Sequence, residues 1–257
     1  MAMGLHLSAG WAWVSALVYV FGAATTSVGL ARRLPLQNVL AVTFVIVGVA
    51  AVATMLGAKL HKPFGDFEPS DTSGSLVVGK LFWFIPLFWL IMVVSSRYTA
   101  KLVLRPWRRA KNYGLWLIGL TGILAALFDM SFDPFATGAA GYWTWKSPQA
   151  GWSWYGAPWT NVVSVLVLAM IMTAIATPWL LIKRPTGQAN DLHCLWVWLA
   201  FQSYFALGNA LHARWSAVGV GVASCAALAV LAWRGHQMSA SRPGTGVSGR
   251  DGAVEDA

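Results

Sequence analysis

Residues 114–132 read GLWLIGLTGILAALFDMSF, an unbroken apolar run whose single charge, Asp129, stands near its end. A helix rises 1.5 Å per residue, so about 20 such residues cross the hydrocarbon core of a bilayer. Six further runs have the same character: 11–30, 38–58, 76–96, 159–182, 192–212 and 215–233. Across the 257 residues 57% are hydrophobic and 11% charged, against about a quarter charged in an average soluble domain. Such a chain has too few polar residues to cover itself with a water-facing surface. The reading is an all-α polytopic membrane protein of about seven transmembrane helices. It forms one transmembrane domain over 1–238, with a polar, Gly-rich, disordered tail over 239–257. The first run has no basic start and a second span follows at once, unlike a signal peptide.

Charge placement tests this count independently. Thirteen of the 18 Lys and Arg residues follow spans one, three, five and seven. The densest group is Arg97, Lys101, Arg105, Arg108, Arg109 and Lys111. The excess of basic residues on one side puts that side in the cytoplasm, with the N-terminus outside and the C-terminus inside a cell (inner) membrane. The net charge of +9 is thus a topology signal. Spread over four segments, it argues against nucleic acid as a partner. Residues 97–111 are read as a stop-transfer cluster or as a contact for anionic lipid headgroups. Cys194 and Cys225 show neither disulfide nor zinc spacing, and no metal site is expected.

Asp129 and Asp133 lie in Phe128-Asp129-Met130-Ser131-Phe132-Asp133-Pro134-Phe135. An ionisable group at membrane depth is costly and faces the bundle interior. A spacing of four puts both carboxyls on one helix face. In a dry site two neighbouring carboxyls resist ionising together, so one keeps a proton beside a carboxylate. Pro134 is expected to end the span at Asp133. The bland reading is that Asp133 caps a turn and Asp129 bonds a backbone group.

Seven aromatics follow between Tyr142 and Trp159, in a stretch whose Gly and Pro content argues against a continuous helix. Irregular backbone at this depth must be covered by protein or line a cavity, so the stretch reads as an outer-face lid or re-entrant loop. Aromatic faces suit a flat polyene, and also a carbocation. An interfacial belt accounts for Trp143 and Trp159 but poorly for seven rings in one loop. Upstream, Pro63-Phe64-Gly65-Asp66-Phe67-Glu68 reads as a turn, and Pro86 is expected to kink span three. Polar positions within spans (Ser15, Tyr19, Thr26, Gln202, Asn209) read mostly as glue between helices. Asn161 stands apart because it adjoins the aromatic loop.

Taken in order, these segments resemble the integral-membrane carotenoid hydratases of the carotenoid biosynthesis protein family. The matching elements are Pro63-Phe64-Gly65, the run 79–92 with Ile85-Pro86-Leu87-Phe88-Trp89, and Asp129 with Asp133-Pro134. They continue with Gly141-Tyr142-Trp143-Thr144-Trp145 and Tyr155-Gly156-Ala157-Pro158-Trp159-Thr160-Asn161. The resemblance covers about 54–164. Relatives tend to carry Glu where Thr54 stands and Tyr just after the Pro-Phe-Gly element, where this chain has Asp66-Phe67.

The resemblance implies a hydro-lyase that adds water to the terminal double bond of an acyclic or monocyclic carotenoid, such as lycopene or gamma-carotene. Neither redox cofactor nor metal is implied. The catalytic candidates are Asp129, Asp133 and Asn161; the substrate-binding candidates are Tyr142, Trp143, Trp145, Tyr155, Phe64 and Trp89. Expected partners are the carotenoid, membrane lipids and other carotenoid biosynthesis enzymes. The rivals are a membrane carotenoid cyclase, which protonates without adding water, and a non-enzymatic carotenoid-binding protein or transporter. A retinal protein would need a Lys in the last span, and a haem bundle would need His pairs within spans; neither is present.

Overall fold

The computed structural model describes residues 12–60, 62, 64–70, 76–78, 81–146, 153–181 and 192–240. Seven long helices carry the fold: α1 (Ala12–Ala31), α2 (Leu36–Leu60), α3 (Ile85–Val103), α4 (Tyr113–Thr137), α5 (Trp159–Leu180), α6 (His193–Leu211) and α7 (Trp215–Ala240). Between them lie short antiparallel pairs. β1 (Phe67–Pro69) pairs with β4 (Trp143–Trp145), β2 (Leu76–Val78) with β3 (Leu81–Phe82), and β5 (Ser153–Trp154) with β6 (Ala157–Pro158). By length and composition α2, α4, α5, α6 and α7 can each cross a membrane, which makes this a multi-pass membrane protein. The outer surface agrees: Phe44 is 80% exposed, and Leu36, Val163, Leu207 and Leu211 also point outward. In water such a surface would aggregate; against lipid tails it is solvated.

α3 is the centre of the bundle. It packs against α1, α2, α4, α6 and α7, and nearly every one of its residues is buried. Enclosure by protein lets it carry Ser95, Ser96, Arg97 and Thr99, all buried. These side chains lower its apolarity without meeting lipid.

Several expectations are corrected here. The third span does not begin at residue 76, because residues 76–82 form a strand pair and the helix starts at Ile85. Pro86 therefore opens α3 from its first turn, where a missing N–H costs nothing and the fixed φ suits the helix. It kinks no interior turn. Arg97 and Lys101 are helical residues at the far end of α3, not loop residues. The aromatic stretch contains short strands where an irregular loop is expected. The tail assigned to 239–257 begins within α7, which runs to Ala240, and its remainder lies outside the described residues.

The last correction concerns α4, which continues through Pro134 to Thr137. Proline cannot donate to the carbonyl of Met130 and its ring crowds that turn. In lipid the freed Met130 carbonyl must find another donor, and neighbouring carbonyls of this last stretch of α4 gain second ones. Trp154 Nε1 donates to Met130 O (2.8 Å), and Asn209 Nδ2 to Ser131 O (2.8 Å). Arg214 Nη1 donates to Pro134 O (2.6 Å) and to Thr137 Oγ1 (2.8 Å). Gln202 Nε2 adds a bond to Leu127 O (3.3 Å). Gln202 and Asn209 are thus glue for α4, as their position within a span implies.

Small residues set how closely the helices approach. A Cβ on Gly208 would stand 2.4 Å from Cδ2 of Phe135, whereas one on Gly219 would meet nothing within 4 Å. We predict that Gly208→Ala destabilises the α4–α6 contact by about 1–3 kcal/mol through overpacking. Gly219→Ala should be neutral, or stabilise by up to about 1 kcal/mol through helix propensity. Thermal unfolding of the two purified variants in one detergent measures the contrast.

Candidate active site

The last turns of α4 present two carboxyls one turn apart. Asp129 is 6% exposed and Asp133 2%. They lie close enough to repel one another when both are charged. Asn161, in the first turn of α5 and 7% exposed, donates from Nδ2 to Asp129 Oδ2 (3.2 Å). Trp145 Nε1 reaches Asp133 from above, at 3.2 Å from Oδ2 and 3.3 Å from Oδ1. The indole N–H of Trp143 also interacts with the Asp133 carboxyl but falls short of a direct hydrogen bond.

Both carboxyls open into a chamber that is continuous with its open mouth. Its walls come from five places: Thr54 of α2, Phe64 and Phe67 after it, Phe82 and the start of α3 (Ile85, Phe88, Trp89), Phe132 of α4 with Trp143 and Trp145 of β4, and Asn161 and Val165 of α5. The rings support one another. Phe88 stacks on Phe132 with centroids 3.9 Å apart, Phe82 stacks on Trp143 at 5.8 Å, and Phe67 lies 6.0 Å from both Trp143 and Trp145. The result is a mostly apolar cavity with a few convergent polar groups at one end, the usual form of a small-molecule site.

The cover follows from pairing of short strands. β1 brings Phe67 opposite Trp145 and Pro69 opposite Trp143. Beneath it, Gly65 takes φ +105°, and a Cβ there would stand 2.7 Å from Cγ of Pro158 and 3.2 Å from Trp145. Only glycine allows that backbone and that approach. At the rim Lys146 pairs with Glu68 at 2.7 Å, and the hydrogen bond it donates to that carboxylate holds the ammonium pKa above its ordinary value. Such an exposed pair adds little stability.

Of the residues singled out from sequence, Asp129, Asp133, Asn161, Trp143, Trp145, Phe64 and Trp89 line this chamber; Tyr142 and Tyr155 do not. Tyr142 is buried behind the wall, 4.7 Å from Phe84. Tyr155 and Gly156 form the two-residue turn between β5 and β6, both at positive φ, as a primed hairpin turn requires. The Tyr155 hydroxyl bonds to Ser216 Oγ (2.6 Å), and Arg214 lies over its ring at 5.3 Å. Tyr155 therefore fastens the hairpin to α7. Tyr19 belongs to an aromatic stack with Phe84, 4.9 Å apart, and Thr26 bonds back to Gly22 O; both are packing residues. Pro63 and Trp152 lie outside the described residues.

Sequence reasoning missed Phe67, Phe82, Phe88, Phe132 and Arg214. Phe132 carried a usable signal, since it follows Asp129 by three and so shares its helix face. Phe88 sat in the quoted run beside Trp89 without being chosen. Nothing marked Arg214 beyond its charge. Burial pushes its guanidinium below the ordinary arginine value, and Asp133 and Tyr155 oppose that.

Arg214 thus holds the C-terminal turn of α4 beside the site. Arg214→Met removes the Arg214 donor from the Thr137 hydroxyl and one of two donors from the Pro134 carbonyl, which keeps the Gly138 N–H (3.0 Å). We expect a stability loss of about 1–3 kcal/mol, with Arg214→Lys, which has no fork, recovering only part of it. Thermal unfolding in detergent reads both.

The family model described as "Carotenoid biosynthesis protein" matches residues 14–231. The chain is also similar to the bisanhydrobacterioruberin hydratase of Haloarcula japonica, at 28% identity over 113 residues. That stretch is 44% of this chain and 36% of that relative's length. No solved structure matches the chain.

Proposed function

The chain belongs to the carotenoid biosynthesis protein family, and on that premise we propose that it is a carotenoid hydratase. It adds water across the terminal double bond of an acyclic or monocyclic carotenoid. One observation carries the reading: two buried carboxyls, a turn apart, share a chamber with Phe88, Phe132, Trp143 and Trp145. The relative named a hydratase supports the same class of reaction.

The chemistry asks little else of the protein. One carboxyl of the Asp129–Asp133 pair carries a proton and gives it to the terminal carbon of the alkene. The π bond supplies the electrons for the new C–H bond, leaving a tertiary carbocation on the neighbouring carbon. Aromatic faces around the chamber stabilise that cation by about 2 kcal/mol for a desolvated ring and keep out bulk water. A single water, held by the second carboxylate and the Asn161 amide, forms the C–O bond. That carboxylate takes the proton the water loses, so the pair ends with the proton count it began with. This is general acid–base catalysis with electrostatic stabilisation. Thr54, where relatives tend to carry Glu, lines the chamber; in this reading the acid–base work rests on the two aspartates alone.

In the same reading all seven helices cross a cell (inner) membrane, with the N-terminus outside, the C-terminus cytoplasmic and the chamber near the outer face. Substrate comes from the bilayer, and other carotenoid biosynthesis enzymes are its partners. Residues 1–238 act as one domain.

The test is expression in a lycopene-producing host with pigments analysed by mass spectrometry. Hydration adds the mass of one water per modified end. An isomer of unchanged mass would identify a cyclase, and unaltered pigment that co-purifies would identify a carrier. Asp129→Asn and Asp133→Asn should each lower turnover by at least about 100-fold while the protein still inserts. Gly65→Ala should also lose turnover, because its Cβ displaces Trp145 or Pro158 from the chamber cover.

A further inference from the structure

Hydration asks two carboxyls for opposite states, and the surroundings of Asp129 and Asp133 differ in the way this requires. One N–H, Trp145 Nε1, is shared between both oxygens of Asp133, at 3.2 and 3.3 Å. The Trp143 indole and the Arg214 guanidinium also act on that carboxyl. Asp129 accepts from a single neutral amide, Asn161 Nδ2 on Oδ2 at 3.2 Å. Among the described residues no donor reaches its Oδ1, and the charge that acts on it is Asp133 itself. Both groups are buried, so the comparison is between their partners. Donors to the charged form and a nearby cation favour a carboxylate, and a like charge opposes one. A neutral carboxylic acid is far less costly to bury than its anion. The proton therefore belongs on Asp129, whose Oδ1 is left to carry it, and the charge on Asp133.

We propose that Asp129 is the proton donor, that Asp133 is the base that activates water, and that Trp145 is the positioning residue that keeps Asp133 charged. The division rests on the hydratase reading. Trp145 is well placed for the task. Phe67 stands opposite it across the strand pair with ring centroids 6.0 Å apart, and an added Cβ on Gly65 or Gly156 would meet its ring at 3.2 or 3.6 Å. Asp129 gives its proton to one alkene carbon, and the π pair forms the new C–H bond. Water bonds to the cationic carbon through an oxygen lone pair and loses a proton to Asp133. That proton then passes from Asp133 to Asp129, one helical turn away, which resets the pair.

The experiment uses the full chain in dodecyl maltoside with lycopene in D2O buffer. Mass spectrometry follows both the hydrated product and the recovered lycopene. A cation made by Asp129 has two fates. Water capture gives product. Return of a neighbouring C–H proton to the Asp129 carboxylate restores a double bond and leaves deuterium in the substrate. Asp133→Asn should lower hydration at least about 100-fold while recovered lycopene still gains deuterium. Asp129→Asn should stop both. Trp145→Phe keeps a ring in the wall and loses the N–H. Hydration should then fall at least about 10-fold, the scale of one hydrogen bond to a charged group, and the ratio of exchange to hydration should rise by a similar factor. Should Asp133→Asn fail to insert, Trp145→Phe carries the test through that ratio. Exchange that survives in Asp129→Asn but not in Asp133→Asn would overturn the division, as would loss of both activities in an inserted Asp133→Asn. A proportional fall of both in Trp145→Phe would make that ring merely structural and end its positioning role. In each of these cases the wild-type protein still adds water. Wild-type protein that adds none ends the hydratase reading itself, and the division with it.

Discussion

The obligation of a lipid-embedded backbone to satisfy every carbonyl shapes the site more than any other constraint. Pro134 withdraws one N–H from α4 just where both carboxyls are displayed. The bundle answers with donors from three directions: Trp154 of the hairpin, Asn209 of α6, and Arg214 before α7. The Trp154 bond replaces the one the proline withdraws, and all three tie a separate element to α4. Repairing α4 keeps Asp129 and Asp133 on one helical face, and the β5–β6 hairpin is fastened by the same bond that serves Met130. A helix ending at Asp133 would have left the second carboxyl on a frayed turn with no fixed relation to the first.

The aromatic residues then divide by task. Phe88, Phe132, Trp143 and Trp145 face the chamber. Tyr142, Tyr19 and Phe84 stack behind them and fix their angles. Trp154 and Tyr155 use their polar tips to anchor the hairpin. This division matters for chemistry that exposes a carbocation. Rings that shield it must not move, and rings in direct contact with other rings have little freedom to do so. Trp145 spans two of these tasks, since its face lines the cavity while its N–H holds Asp133.

Much of the fold was legible because the bilayer leaves a coarse signature. Run length placed α1, α2, α5 and α6 to within two residues at each end and the starts of α4 and α7, which run five and seven residues beyond the reading. The third failed because apolarity alone does not separate a helix from a strand pair, and 76–82 is apolar enough for either. Read as an opening residue of the helix, Pro86 would have set the boundary. Arg97 was assigned to a loop because a charge is expected at the membrane edge; only the enclosure of α3 by five other helices shows why it is buried. In the site, the carboxyl pair and Asn161 could be picked out because polar groups at depth are rare and informative. The ring assignments were harder. Composition cannot say which of seven neighbouring aromatics faces inward, and Tyr155 went astray because a turn with positive φ at a non-glycine residue is not marked by local sequence.

The placement of α3 joins these strands. Its first turns supply Ile85, Phe88 and Trp89 to the chamber, and its last turns carry Arg97 and Lys101. Being surrounded by protein, it can hold an apolar wall at one end and cations against the Tyr98 ring at the other, a sequence that no lipid-facing helix could keep. Charge is divided along the same axis, with the described acids near the chamber and the densest cations at the far end. In the proposed mechanism, a proton exchanged between Asp129 and Asp133 therefore meets little competition from lysine or arginine among the described residues. Arg214 is the one cation placed beside the pair, and its Nη1 is engaged by the backbone and hydroxyl of α4. Its charge thus biases the carboxyls from a fixed distance while its hydrogen bonds hold the turn that carries them.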